Sequence, residues 1–254
     1  MTARRIMWPM TVILVLAVVA LVVPGSPFYL TDLLASGWHF HGRSTAYWIR
    51  ALETEDLEER NKAIFALGAI GARAEEAVPV LAALMTGSPD RNTRSQAALA
   101  LSKMAPASRL AVPALAQALN DEEPWVRMNA VMALSRLKAD ARAATAALVQ
   151  ALNDKSNDTN LGRFNVSIQQ MAVLTLGRVG AGNADALAAL TAALGKEFSD
   201  RVRWSAVQAL GEIGPEARPT VPLLRALLKH NSEELREAAA EALRQIEPAP
   251  AAGS

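Results

Sequence analysis

Apolar and polar positions along this chain repeat with two superposed periods. At short range, apolar residues recur three, four and seven apart, the spacing that lines one face of an α-helix. At long range, one twelve-residue block returns. From Arg203 it reads R-W-S-A-V-Q-A-L-G-E-I-G, and related blocks begin at Arg60, Arg94, Arg127, Gln169 and Arg236. The intervals between these starts are 34, 33, 42, 34 and 33 residues. With the first residue of each block as position zero, positions +3, +4, +7 and +10 are apolar in every copy. At about 100° per residue they share one helix face, so each block predicts an amphipathic helix with that face in the core.

A second apolar stretch precedes each block. It reads AVPVLAALM from Ala77, AVPALAQAL from Ala111, AATAALVQAL from Ala143, ADALAALTAAL from Ala184 and TVPLLRALL from Thr220. STAYWIRAL from Ser44 takes this part in the first unit. Pro79, Pro113 and Pro222 stand near the starts, where a first helical turn tolerates proline. Each unit is thus helix, loop, helix. A helix pair repeated six times predicts an all-α fold, an α-solenoid over residues 44–247.

The small residues at +3 and +6, and the glycines Gly68, Gly177 and Gly211 at +8, are expected where neighbouring helices approach closely. Gly71, Gly180 and Gly214 are expected to form left-handed caps just past the helix ends. An acid often precedes the anchor arginine (Asp90, Asp200, Glu233), placed to favour the helix dipole and to tie stacked units together.

These blocks resemble HEAT-like repeats of the kind found in phycobilisome lyases and many bacterial repeat proteins, whose second helix reads close to V-R-x-x-A-A-x-A-L-G-x-I-G. Val126-Arg127 and Val202-Arg203 match its opening. The resemblance implies the architecture. It implies little about activity, because the same repeat carries many functions.

If the second helices line the inner side of the array, positions +1, +5 and +9 face outward. An idle surface would be polar there. Instead +5 holds Phe65, Leu99, Met132 and Leu174 in four consecutive units, with Met128 and Trp204 at +1 and Met171 at +2. Beside this strip, +9 holds Lys103, Arg136 and Arg178, after which the charge reverses. The pattern predicts a groove for an extended peptide or a partner's helix. Apolar side chains would supply burial, and the basic row would take an acidic group. The competing reading is that superhelix curvature half-buries +5. The 42-residue interval marks an insertion within Asn153–Ser167. Its Phe164 is expected to lie on the same edge as Trp125 of the preceding loop.

The N-terminus departs from the repeat. Arg4 and Arg5 precede the uncharged run Ile6–Val23, and Pro24 and Pro27 follow it. Eighteen residues at ~1.5 Å rise give roughly 27 Å, close to the ~30 Å hydrocarbon core. The run exceeds a usual signal h-region and lacks an A-x-A site, which favours an uncleaved anchor. The expected plan is therefore a transmembrane helix over residues 1–23, a connector over 24–43, the repeat domain, and a disordered tail over 248–254. The positive flank stays cytoplasmic, so the repeats face the other side, the periplasm in a Gram-negative host. Cleavage after Val23 would make the chain secreted.

Composition narrows the chemistry. There is no cysteine, so thiolate nucleophiles and thiolate metal sites are excluded. The three histidines, His39, His41 and His230, form no H-E-x-x-H, and no glycine-rich phosphate loop occurs. A net charge of +1 leaves no broad basic face for nucleic acid. No catalytic residue, cofactor or metal site is identified. The expectation is a membrane-tethered scaffold or adaptor for another protein. The alternative is a lyase-like enzyme or accessory factor acting on a cofactor-bearing protein.

Overall fold

The computed structural model describes residues 39–158, 161 and 166–248. It opens on a small hairpin in which β1 (His39–Phe40) pairs antiparallel with β2 (Arg43–Ser44). His41 and Gly42 turn the chain, both at positive φ (49° and 76°), as a two-residue hairpin loop requires. Strands of two residues are too short to show a period in sequence, and the hairpin spans the end of the expected connector and Ser44, the first residue of the expected repeat domain.

Six helix pairs follow among the described residues. They are α1 (Thr45–Ala51) with α2 (Leu57–Ile70), α3 (Val78–Gly87) with α4 (Arg91–Lys103), and α5 (Val112–Ala118) with α6 (Pro124–Leu137). Then come α7 (Thr145–Asn153) with α8 (Ile168–Val179), α9 (Ala184–Ala192) with α10 (Asp200–Ile213), and α11 (Val221–Leu227) with α12 (Glu233–Ile246). The starts are chemically marked. Asp56, Asp90, Glu123, Ser167 and Ser232 cap second helices with a side-chain acceptor. Prolines occupy the first turn of α3, α5 and α11.

Each second helix packs on the next, and the predicted face forms the core. The six +3 alanines, Ala63, Ala97, Ala130, Ala172, Ala206 and Ala239, have no exposed surface. The +8 glycines explain how the helices come so close. A Cβ on Gly68 would lie 3.1 Å from the Ala100 Cβ, and one on Gly177 would lie 2.8 Å from the Ala209 Cβ. Gly211 faces Ala242 in the same way. In each case the +8 glycine of one unit receives the +6 alanine of the next.

The expected left-handed caps need correction. Gly180 has φ −77° and continues the right-handed turn. Gly71 and Gly214 do have positive φ (73° and 72°), but their ψ values of −142° and −137° lie in the extended region open to glycine, outside the left-handed helical well. This backbone leads into a 3-10 segment that connects to the next unit. At the matching place in the third unit the chain has Lys138, at φ 53° and ψ −125°.

The expected transmembrane helix, most of the connector, and the tail beyond residue 248 lie outside the described residues. Among the described residues, no helix is long and apolar enough to cross a membrane.

Candidate docking face

The anchor side chains define one edge of the array. Arg94, Arg127 and Arg203 are 7%, 9% and 7% exposed, so these guanidinium groups are structural parts of the interior. Each turns back to the loop before its own helix. Arg94 Nη1 donates to the carbonyls of Ser88 (3.1 Å) and Pro89 (3.4 Å), Arg127 Nη1 to Asp121 (2.7 Å) and Glu122 (3.2 Å), and Arg236 Nη1 to His230 (2.8 Å) and Asn231 (2.9 Å). Gln169, which replaces arginine in the fourth unit, donates to the Leu152 and Asp154 carbonyls instead.

The other edge of the guanidinium reaches the next unit. Arg94 Nε and Nη2 pair with Asp121 at 2.8 and 3.0 Å, and Arg127 Nε donates to Asn157 Oδ1 at 2.8 Å. Arg203 Nη1 lies 3.0 Å from His230 Nε2. Among the described residues, the inter-unit tie expected from sequence exists as an arginine–acid pair only at Arg94–Asp121; Arg127 and Arg203 reach an asparagine and a histidine instead. Asp90 caps α4 by accepting from Thr93, and Asp200 pairs with Arg203 within α10. The residue six before the anchor, which the sequence pattern did not single out, does two jobs. The side chains of Thr54, Ser88, Asp121 and His230 each accept the backbone N–H two residues on. Asp121 and His230 also meet the preceding unit's arginine. Asn157, inside the insertion, takes over for Arg127 and is 1% exposed.

The outer face is less uniform than its pattern. Phe65 is 54% exposed and Trp204 36% exposed. Leu99, Met132, Met171 and Leu174 are half-buried, the last three of them on the adjacent helices α6 and α8. Met128 is a correction: it is 1% exposed and belongs to the hydrophobic core, on a helix packed between α4 and α8. It cannot serve as a contact. Lys103, Arg136 and Arg178 are all exposed. Lys103 Nζ sits 5.2 Å from the Phe65 ring centre, and Phe40 packs edge-on against the same ring at 6.0 Å. Arg178 donates to the Ser135 carbonyl and hydroxyl, while Arg136 has no partner among the described residues. Trp125 is 39% exposed, and Phe164 lies outside the described residues.

Three clefts open along this face between successive second helices. One of about 580 Å³ lies between Phe40, Trp48, Phe65 and Asn92. The next, about 450 Å³, is bounded by Arg91, Ser95, Glu123 and Trp125. The third, about 370 Å³, lies between Gln170, Trp204 and Leu235 with Asp200, Arg201, Ser232 and Glu234 around it. Among the described residues, no three His, Asp or Glu side chains gather to hold a metal ion.

A stack of helix pairs with an edge ladder of buried arginines is an α-solenoid. The HEAT-repeat family model matches residues 45–111, 105–163 and 160–244, and the chain belongs to that family. A search of curated proteins found no match. Among solved structures, the chain is similar to a designed armadillo repeat protein in complex with the peptide (KR)4 (20% identity, 79% of this chain and 98% of that one, TM-score 0.60). It is also similar to the complex of CpcE and CpcF of phycocyanin lyase from Nostoc sp. PCC7120 (26% identity, 84% and 79% covered, TM-score 0.55). An engineered protein gives 24% identity over 80% of this chain and 96% of its own, with a TM-score of 0.58.

Proposed function

We propose that this chain is an interaction scaffold that holds an extended segment or a helix of another protein along the outer face of its second helices. The observation that carries this reading is apolar side chain left open to solvent on successive second helices, half-buried at Leu99, Met132, Met171 and Leu174 and exposed at Phe65 and Trp204, with the exposed cations Lys103, Arg136 and Arg178 at +9 of three of these helices. Half-buried methionines suit an adaptable contact, and the cations supply a place for an acidic group. A designed armadillo protein of similar fold is seen in complex with a peptide, which supports peptide holding by a solenoid of this kind. In this proposal residues 1–23 tether the scaffold to a membrane, and the repeats work on the non-cytoplasmic side.

The test is a double substitution, Met132→Asp with Leu174→Asp. Both side chains are only half-buried, so helical content by circular dichroism should persist while capture of the native partner falls at least tenfold. Unchanged capture would remove these side chains from the account. The tether is tested by alkaline washing of membranes, which should leave the full-length chain in the pellet. The similarity to the CpcE–CpcF complex favours a second reading, a lyase-like factor acting on a cofactor-bearing protein.

A further inference from the structure

The row at +9 changes sign along the array: it holds the exposed Lys103, Arg136 and Arg178 on the second to fourth units and Glu212 on the fifth, while Lys62 on the first unit is paired with the exposed Glu58. On the last two units the exposed side chains include Asp200, Glu212, Glu234, Glu237 and Glu241, against Arg201 and Arg244, the latter paired with Glu241. The cleft at Trp204 lies inside the acidic end.

Trp204 is unusual within this face. Phe65, the exposed ring at the other end, already has a cation over it, Lys103. Trp204 has no cation over its ring, and its indole N–H has no partner among the described residues. It stands at the +1 position of α10, in a cleft lined by Gln170 on α8 and Leu235 on α12, with two carboxylates, Asp200 and Glu234, against one cation, Arg201. Asp200 gives one oxygen to Arg203, and Glu234 accepts from the Ser232 hydroxyl through one oxygen. Each carboxylate keeps a second oxygen. A ring face bordered by carboxylates is a seat for a lysine ammonium or an arginine guanidinium, which is attracted to the ring when held within about 6 Å of its centre.

We infer that the Trp204 cleft binds a lysine or arginine side chain of the docked segment, and that this cleft and the basic row together fix the direction in which the segment lies. The inference rests on the docking face proposed above. Adjacent helices lie roughly 10 Å apart, and Trp204 is eight positions, or about 12 Å, along the axis from the level of Arg178 and Arg136. The separation from Trp204 is therefore roughly 16 Å to Arg178 and roughly 23 Å to Arg136. An extended chain at about 3.3 Å per residue covers these distances in about five to seven residues. The ligand chemistry is thus an acidic residue, an apolar middle, and a basic residue about five to seven positions away.

The experiment is a selection of displayed random 12-residue peptides on the full-length chain in detergent micelles. Lysine or arginine should be enriched at about five to seven residues from aspartate or glutamate, in one orientation. In a selected peptide, replacing the basic residue by glutamine should weaken binding about tenfold. That difference should vanish in Trp204→Ala and shrink in the Asp200→Asn, Glu234→Gln double variant, all with wild-type circular dichroism. Apolar peptides enriched without a basic residue, or a glutamine penalty that survives Trp204→Ala, would overturn the cation seat and leave the apolar docking face standing. No enrichment at all would overturn both.

Discussion

Arg94 Nε donates to Asp121 Oδ2 at 2.8 Å, so the second helix of one unit is bonded to the loop that opens the second helix of the next. Both side chains are largely buried, at 9% and 13% exposure. Asp121→Ala leaves the guanidinium in place with its loop carbonyls and the exposed Glu122 as partners. We expect a loss of about 2–3 kcal/mol, less than the full cost of an orphaned buried charge. Thermal unfolding of the variant should come roughly 5–10 °C earlier.

The first unit lacks this tie. Arg60 Nε is buried with no hydrogen-bond partner among the described residues. The residue that corresponds to Asp121 is Ser88, whose hydroxyl makes the same local turn but is too short to reach a neighbouring unit. Ser88→Asp keeps the turn and offers Arg60 an acceptor. It should raise stability by about 1 kcal/mol. The gain should disappear in an Arg60→Met background, a double-mutant cycle read by urea denaturation.

Glycine at +8 reverses an ordinary expectation. Ala normally stabilises a helix interior by about 1 kcal/mol over Gly. At Gly177 the added Cβ would meet Ala209 at 2.8 Å, a contact that forces α8 and α10 apart. Gly177→Ala should therefore destabilise by about 1–2 kcal/mol. Gly87, whose added Cβ meets nothing within 4 Å, is the control.

Lys138 holds a backbone conformation that two sister units give to glycine, Gly71 and Gly214. A side chain at φ 53° and ψ −125° stores strain on the order of 1–3 kcal/mol. Lys138→Gly should stabilise the protein by about 1 kcal/mol after the entropy lost by glycine is counted. A differential scan should show a higher melting temperature.

Acid should loosen the array through two loop carboxylates. The Thr93 hydroxyl, then the Thr93 backbone N–H, hold Asp90 below the usual aspartate range; Ser156 does the same for Asp154, through its backbone N–H first. Their native pKa values are depressed, so their stabilisation is present above the unfolded value of about 4 and is lost as pH falls through the native values. Urea midpoints should decline below about pH 4. Asp90→Asn should show a shallower decline.

The repeat itself was plain in the chain because six similar blocks sample the same packing problem. The invariant +3 alanine and +7 leucine needed no structure to be placed in the core. The +8 glycines could be assigned to close helix approach, although their partner, the +6 alanine of the following unit, could not be named. What sequence missed depends on neighbours rather than on helix phase. Met128 and Trp204 share the +1 position and both lie on helices flanked on two sides, yet Met128 is buried in the core while Trp204 borders a cleft. Asn157 is hidden in an insertion with no sister copy to compare. Gly180 looks like Gly71 and Gly214 in the alignment of blocks, but the chain there turns at Gly182, which has φ 66°.

The central claim is that partners dock on the outer face of the second helices. It is tested most directly by placing a photo-crosslinking amino acid at Leu174, and separately at Leu223 on a first helix, in the full-length chain in its native host. The account predicts that Leu174 yields one discrete adduct, lost in the Met132→Asp background, and that Leu223 yields none. Adducts of the same mass and yield from both positions, or from Leu223 alone, would contradict it.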